Sequence, residues 1–203
     1  MDLLNTLNTS LIAILVGVLV FIAQFIYIRD TFRRKIQPSI LSWSGWVLLM
    51  GTSLVSLIIS EGWKWSLTGL LISTIGYSII AGLGFFIKNY SLQKSDWIYL
   101  IAGIVCMLLY FVTKDTWLTT IFAITADFLL AIPTFLKAIK NPISEKSHSW
   151  FFGFIAWTLS LLISFGDGII FALWPLYLFC FYSTMLYLTF FRNRHQVKIT
   201  MDK

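Results

Sequence analysis

One acidic residue, Asp127, interrupts a stretch of sequence that is otherwise apolar enough for the interior of a membrane. It lies close to the midpoint of the run Thr116–Leu136, which contains no other charged residue. A carboxylate at the centre of a bilayer costs about 2.5–3.5 kcal/mol on insertion scales, so a reason for its presence is expected. A lone carboxylate can exchange a proton, bind a cation or contact a solute. The alternative is a protonated, neutral Asp127 that hydrogen-bonds to a neighbouring helix.

The neighbours of Asp127 indicate which way its side chain faces. Side chains three or four positions apart share one face of an α-helix. The residues on the face of Asp127 are small or polar: Thr120, Ala123, Ala131 and Thr134. The bulky residues nearby point elsewhere: Phe122, Phe128, Leu129 and Phe135. We therefore expect the carboxylate to face protein or water, in an internal space that water can reach.

A proline lies six residues beyond Asp127 in the same run, at position 133. Pro133 lacks a backbone N–H and would clash with the carbonyl group of Leu129, which bends a helix. The bend could serve as a hinge for movement or as a static kink, and the sequence favours neither.

Seven runs in the sequence are long and apolar enough to cross a bilayer as helices. About 20 apolar residues are needed, and a helix satisfies all backbone polar groups within its own segment. The chain is 58% hydrophobic and only 12% charged, unlike a soluble domain. We predict an all-α membrane protein with seven transmembrane helices. The runs are Leu3–Ile28, Ile36–Ser60, Trp65–Ile87, Trp97–Thr113, Thr116–Leu136, Ser147–Gly166 and Gly168–Phe191.

The placement of the basic residues predicts how the chain is oriented. The net charge of +6 could suggest a nucleic-acid partner, but thirteen of the fifteen Lys and Arg lie in alternate connections and the tail. That is the positive-inside pattern, which places the N-terminus outside and the C-terminus in the cytoplasm. We therefore predict an integral membrane protein, with the lipid bilayer and no nucleic acid as partner.

A weak internal repeat appears when the chain is offset by 107 residues. The aligned identities are Ile36, Ser42, Trp43, Ser53 and Leu54 with Ile143, Ser149, Trp150, Ser160 and Leu161. They predict two parallel three-helix units, with one helix between them to restore the chain direction, an arrangement that transporters use. The predicted units are a first triple-helix bundle at residues 1–92, a linker helix at 93–115, and a second triple-helix bundle with a short cytoplasmic tail at 116–203.

Two further features of the first unit have open interpretations. Ser73 and Tyr77 lie one turn apart beside a stripe of small residues, and they could present hydroxyl groups to a cavity or simply allow close packing. Trp43 begins a run next to a basic turn, where an indole ring usually anchors a helix at the headgroup level. We therefore predict a membrane-interface position for Trp43.

The segment PTFLKAIKNPISE, from Pro133 to Glu145, resembles the PQ-loop pattern of the SWEET (MtN3/saliva) sugar transporters, and the seven-helix layout is similar to theirs. The resemblance implies a solute site at mid-membrane between two triple-helix bundles, with Pro133 as a hinge and Trp157 near an aromatic residue that closes on the solute. The chain looks like a divergent bacterial member, so the resemblance implies a location in a bacterial inner (cytoplasmic) membrane. It departs from the pattern at Ile26 and Tyr27, which replace the proline pair of the first unit. The paired asparagines of the sugar carriers are absent as well, so their substrate is not carried over.

Catalytic and metal-binding patterns are missing. The sequence contains no G-x-S-x-G, H-E-x-x-H or phosphate-binding glycine loop, and His148 and His195 are too isolated for a metal cluster. One Asp does not provide the pair of groups that an intramembrane enzyme needs. We predict no enzyme activity, no metal and no cofactor.

These patterns together favour a transporter that moves a small polar solute by alternating access, with proton coupling left open. The solute would be a sugar, an amino acid or a vitamin-like compound. The alternative is a receptor, scaffold or accessory subunit that keeps the fold without transporting, and a homo-oligomer also stays open. The predicted solute-binding residues are Asp127, Trp157, Tyr77, Ser73 and Tyr182, with Pro133 as hinge.

Overall fold

The computed structural model describes residues 2–36, 38, 40–87, 97, 101, 104, 105, 108, 112 and 115–191. Within these ranges the chain is helical apart from short turns, and it contains no strand. The long helices are α1 (Asp2–Phe32), α2 (Ile40–Glu61), α3 (Thr68–Ile87), α4 (Thr116–Lys140), α5 (Ser149–Asp167) and α6 (Ile169–Leu186). Short 3₁₀ helices precede α3 (Trp65–Leu67) and follow α4 (Pro142–Glu145), and a π-helical turn, Tyr187–Phe191, extends α6.

Six helices of the described part are long and apolar enough to cross a membrane. They correspond to six of the seven predicted crossings, so the prediction of an all-α membrane protein is confirmed. Most of the remaining crossing, Trp97–Thr113, and the tail beyond Phe191 lie outside the described residues. The described residues of that crossing are helical with exposed side chains, namely Trp97, Ile101, Ile104, Val105, Leu108 and Val112.

Helix ends are set by local chemistry. Asp115 caps α4, since its side chain accepts a hydrogen bond from the backbone N–H of Leu118 at 2.9 Å. The connections α2–α3 and α5–α6 both turn at a glycine with positive φ, Gly62 at 77° and Gly168 at 121°. A residue with a Cβ atom would be strained at either position. The α2–α3 and α5–α6 connections therefore both depend on a glycine at the turn.

The six helices pack as a closed ring in the order α1, α3, α2, α4, α6, α5. Each helix contacts its two neighbours in this order, and α5 closes the ring on α1. The contact between α4 and α6 is the least extensive of the six. The interior of the ring is filled by one cluster of buried residues rich in Trp and Tyr.

The small residues of α3 accommodate side chains rather than a neighbouring backbone. A methyl group added at Gly69 would lie 3.4 Å from the ring of Trp157, and one added at Gly76 would lie 2.6 Å from the side chain of Gln24. These glycines thus create the room that lets α5 and α1 project large side chains into the ring.

Candidate functional site

Asp127 faces the interior of the ring, as its sequence neighbours predicted. The residue is only 3% exposed, and Thr120, Ala131 and Thr134 on the same face are buried as well. Phe128, on the opposite side of α4, is 50% exposed on the flank of the bundle. The periodicity of α4 therefore places the carboxylate among other helices.

The two carboxylate oxygens of Asp127 have different surroundings. The hydroxyl group of Tyr177, on α6, donates a hydrogen bond to Oδ2 at 2.6 Å. The other oxygen, Oδ1, is buried and has no hydrogen-bond partner among the described residues. The interhelical hydrogen bond that the sequence left open is thus present at one oxygen. The second oxygen is unusual, because buried polar atoms nearly always have a partner.

The tyrosines predicted to line the site meet at its centre. The hydroxyl oxygens of Tyr77 on α3 and Tyr182 on α6 lie 3.3 Å apart. Trp43 packs edge-on against Tyr77 with ring centroids 4.8 Å apart, and Trp150 packs in the same manner against Tyr182 at 5.5 Å. Trp43 and Trp150 are the tryptophans that the 107-residue offset aligns. The two aligned segments therefore make equivalent contacts.

The prediction that Trp43 anchors its helix at the membrane interface is wrong. Trp43 is 4% exposed and packs against Tyr27 at 4.7 Å and Trp46 at 5.0 Å between ring centroids. Its side chain points into the ring, where contact with other aromatic rings replaces contact with lipid headgroups. Proximity to a basic turn did not decide its orientation.

Trp46 links Asp127 to the tyrosine centre. Its indole N–H donates to the backbone carbonyl of Asp127 at 3.3 Å, and its ring lies 5.8 Å from that of Tyr77. Trp157 is buried near the hydroxyl group of Tyr182, and its indole N–H makes no hydrogen bond within the described part of the chain. Asp127, Tyr77, Tyr182 and Trp157 thus belong to one buried cluster.

Ser73 is fully buried one turn from Tyr77, and its hydroxyl group also has no partner among the residues described. Gln24, on α1, lies near the hydroxyl group of Tyr77, and its side-chain oxygen is likewise unpaired there. The interior of the ring therefore contains several polar atoms that could contact a solute.

The two cavities of the described structure lie on the flanks of the bundle rather than beside Asp127. One, of about 640 Å³, is a groove between α4 and α6, and the other, of about 730 Å³, lies between α1 and α3. Neither is lined by Asp127, so neither is the internal space that the sequence predicted. Tyr177 forms part of the wall of the α4–α6 groove and separates it from the carboxylate.

A polar network that the sequence did not predict joins α1 to the α4–α5 connection. Glu145 is 1% exposed. Its carboxylate accepts hydrogen bonds from Lys137 at 3.0 Å and from the hydroxyl group of Tyr27 at 3.2 Å. The indole N–H of Trp150 donates to its backbone carbonyl at 2.7 Å. We call the end of the bundle with the α1–α2 and α4–α5 connections the basic end.

A second contact strengthens the basic end. The hydroxyl group of Ser147 donates to Asp30 at 3.0 Å, and Asp30 also pairs with Arg29 at 3.0 Å. Burial raises the pKa of Glu145 above its ordinary value, and the charge and hydrogen bond of Lys137 and the hydroxyl group of Tyr27 lower it in part. The ion pairs of the described chain lie at this end, and none of them joins the connections at the opposite end.

No protein-family model, curated protein or solved structure matches this chain. The resemblance to the PQ-loop proteins therefore depends on the residues from Pro133 to Glu145 and on the helix layout, and it stays a prediction. The functional interpretation must come from the geometry of Asp127 and the surrounding cluster.

Proposed function

We propose that this protein is a membrane transporter that moves a small polar solute by alternating access. The observation that carries the proposal is the unpaired Oδ1 atom of Asp127, buried near the middle of a membrane-spanning helix. Ionisable groups at this depth are expensive and usually mark the path of a substrate or an ion. A solute or a proton at Oδ1 would satisfy the oxygen.

The unpaired polar atoms are spread over the whole ring. Each of the six helices contributes at least one buried side-chain atom that has no hydrogen-bond partner within the described residues. These atoms belong to Gln24, Thr31, Ser44, Ser53, Thr68, Ser73, Asp127, Trp157, Ser160, Asp167 and Trp174. Solute sites combine apolar walls with a few convergent polar groups, and in transporters built from repeats they lie between the repeats. The distribution supports a solute site along the axis of the ring.

The ring order supports two triple-helix bundles, α1–α3 and α4–α6. If α1, α2 and α3 exchange places with α4, α5 and α6 in that order, the ring keeps the same pairs of neighbours. The pair α1–α3 becomes α4–α6, α2–α3 becomes α5–α6, and α2–α4 becomes α5–α1. The bundles would meet along α1–α5 and α2–α4. Residues 93–115 would then supply the single crossing that makes the bundles parallel, as the offset repeat predicts.

Alternating access would consist of rocking one bundle against the other. In this scheme the contacts of Glu145 with Tyr27 and of Ser147 with Asp30 would hold the two bundles together and close the basic end. Opening that end requires these contacts to separate. Pro133 lies between Asp127 and the basic end of α4 and cannot bond to the carbonyl group of Leu129, which makes it the proposed hinge.

Uptake into proteoliposomes tests the proposal. Purified protein would be reconstituted and supplied with labelled sugars, amino acids and vitamin-like solutes, with and without a pH gradient. We expect saturable uptake of at least one solute, its loss in Asp127→Asn, and its retention in the control Glu61→Gln, at an exposed acid at the end of α2. Asp127→Asn with full and equally pH-dependent uptake would rule out proton coupling through this residue.

The tight packing of the interior favours a second candidate, a receptor or accessory subunit that binds a ligand without transporting it. The aromatic centre of the ring is buried and closely packed, and it consists of Tyr77, Tyr182, Trp43 and Trp150. Neither of the two cavities described above lies between these residues. A receptor of this kind would show ligand-induced thermal stabilisation without any flux. The same panel of solutes, measured by both methods, distinguishes the two candidates.

A further inference from the structure

We infer that the solute recognised at Asp127 is a small organic cation, with an ammonium group that binds the unpaired Oδ1 atom. This inference rests on the proposed function and names its substrate class. The first support is the charge balance of the interior. No Lys, Arg or His of the described chain pairs with Asp127, and its only side-chain partner there is the neutral hydroxyl group of Tyr177. A cation would supply the missing opposite charge.

The nearest basic residue on α4 already forms an ion pair with another acidic residue. Lys137 lies ten positions along α4 from Asp127, which corresponds to about 15 Å of helix. Its ammonium group forms the ion pair with Glu145 at 3.0 Å. A positive charge beside Asp127 must therefore come from outside the described chain.

Aromatic rings form the second support, because two of them hydrogen-bond to Asp127 and others pack against those two. Trp46 bonds to the backbone of Asp127 and Tyr177 bonds to its side chain. Phe181 lies 5.7 Å from Trp46 and 6.4 Å from Tyr177, and Trp174 lies 6.0 Å from Tyr177, between ring centroids. The faces of such rings attract cations, and aromatic cages are a common way to bind quaternary ammonium groups.

An inorganic cation fits this environment less well. Calcium and magnesium prefer six or more oxygen ligands, whereas Asp127 supplies a single unpaired carboxylate oxygen. No group of three acidic, His or Cys side chains that could hold a metal occurs among the described residues. An alkylammonium ion needs one carboxylate and apolar walls.

The test uses matched pairs of cations and neutral compounds of the same shape. Choline would be compared with dimethylbutanol, in which a carbon atom replaces the nitrogen, and tetramethylammonium with neopentane. Thermal stability and equilibrium binding would be measured on the purified protein in detergent. We expect at least one cation to raise Tm and to bind, and its neutral counterpart to do neither. Equal stabilisation by the neutral compound, or no binding by either cation, would overturn the inference.

Variants locate the binding. Asp127→Asn should weaken cation binding by at least about tenfold, because it removes one partner of a buried charge pair. Asp127→Glu, which keeps the charge, should retain more of the binding than Asp127→Asn. The control Glu61→Gln, at an exposed acid, should leave it unchanged. If Asp127→Asn does not fold, a fall in binding from wild type to Asp127→Glu that exceeds any change in Glu61→Gln supports the site, and equal binding in the two variants overturns it.

This experiment separates the inference from the proposed function. Cation binding without flux in proteoliposomes would contradict transport and leave the cation site intact. Flux of a neutral solute without any cation binding would support transport and overturn the cation site.

Discussion

The hydroxyl oxygens of Tyr77 and Tyr182 lie 3.3 Å apart, and they connect α3 to α6 through the buried centre of the ring. The two residues are 105 positions apart in the chain. Each carries an edge-on tryptophan from the preceding helix of its own predicted bundle, Trp43 and Trp150. The pair therefore joins the aromatic contacts of α2 and α3 to those of α5 and α6.

Removing both hydroxyl groups should cost less stability than the sum of removing each one alone. Tyr77→Phe or Tyr182→Phe leaves the other hydroxyl group buried, at a cost of about 1–3 kcal/mol in the free energy of unfolding. The double variant removes both polar groups and should cost less than the sum of the two single changes. Denaturant unfolding in detergent micelles measures all three variants. Strictly additive effects would show that the two hydroxyl groups do not depend on each other.

Gly153→Ala should be destabilising, whereas Gly166→Ala on the same helix should not. A methyl group at Gly153 would overlap the ring of Tyr182, while one at Gly166 has nothing within 4 Å. Overpacking of this kind costs about 1–3 kcal/mol, and it would displace Tyr182 from Tyr77. Thermal unfolding of both variants provides the comparison. Equal Tm values for the two would contradict the packing of α5 against α6.

Glu145 should make the stability depend on pH. Burial raises its pKa above the ordinary value of 4.5 in the folded state. The folded protein then holds a proton that the unfolded chain releases, so this group's contribution to stability falls as pH rises from 4.5 through the folded-state pKa.

The difference in Tm between wild type and Glu145→Gln, followed from about pH 4 to about pH 8, isolates this effect. We expect wild type to lose stability relative to the variant as pH rises. Glu61→Gln, at an exposed acid on α2, serves as the control and should track wild type. A wild-type advantage that grows with pH would show that the pKa of Glu145 is lowered instead.

Pro133→Ala should stabilise α4 and slow any transport. The alanine restores an N–H group that can bond to the carbonyl of Leu129, and it removes the clash of the proline ring. The next carbonyl along α4, that of Leu130, accepts a hydrogen bond from the hydroxyl group of Ser42 at 2.9 Å, so α2 already supports this part of α4. Tm and uptake rate should be measured on the same preparation. A higher Tm with unchanged uptake would assign Pro133 to a static kink.

Apolar runs and helical periodicity predicted the membrane helices and the direction in which Asp127 faces. Both are local properties. A bilayer demands a run of apolar residues of fixed length, and the spacing along α4 places Asp127 and bulky Leu129 on opposite faces whatever lies beside the helix. Tyr77 and Tyr182 could also be selected from the sequence, as polar residues at membrane depth, whereas Trp157 was implied by the resemblance to the PQ-loop pattern.

Only the tertiary structure decided which residues meet. Tyr177 bonds to Asp127 from 50 positions away, and Tyr27 bonds to Glu145 from 118 positions away. Such pairs depend on the order of the helices in the ring, which no local pattern encodes. The same reason explains the wrong prediction for Trp43. The first turns of α2 lie close to a basic connection, but the neighbouring helices of the ring determine that the Trp43 side chain packs in the core. The sequence by itself determined where the chain enters the membrane, and the packing of the helices determined which buried groups have partners.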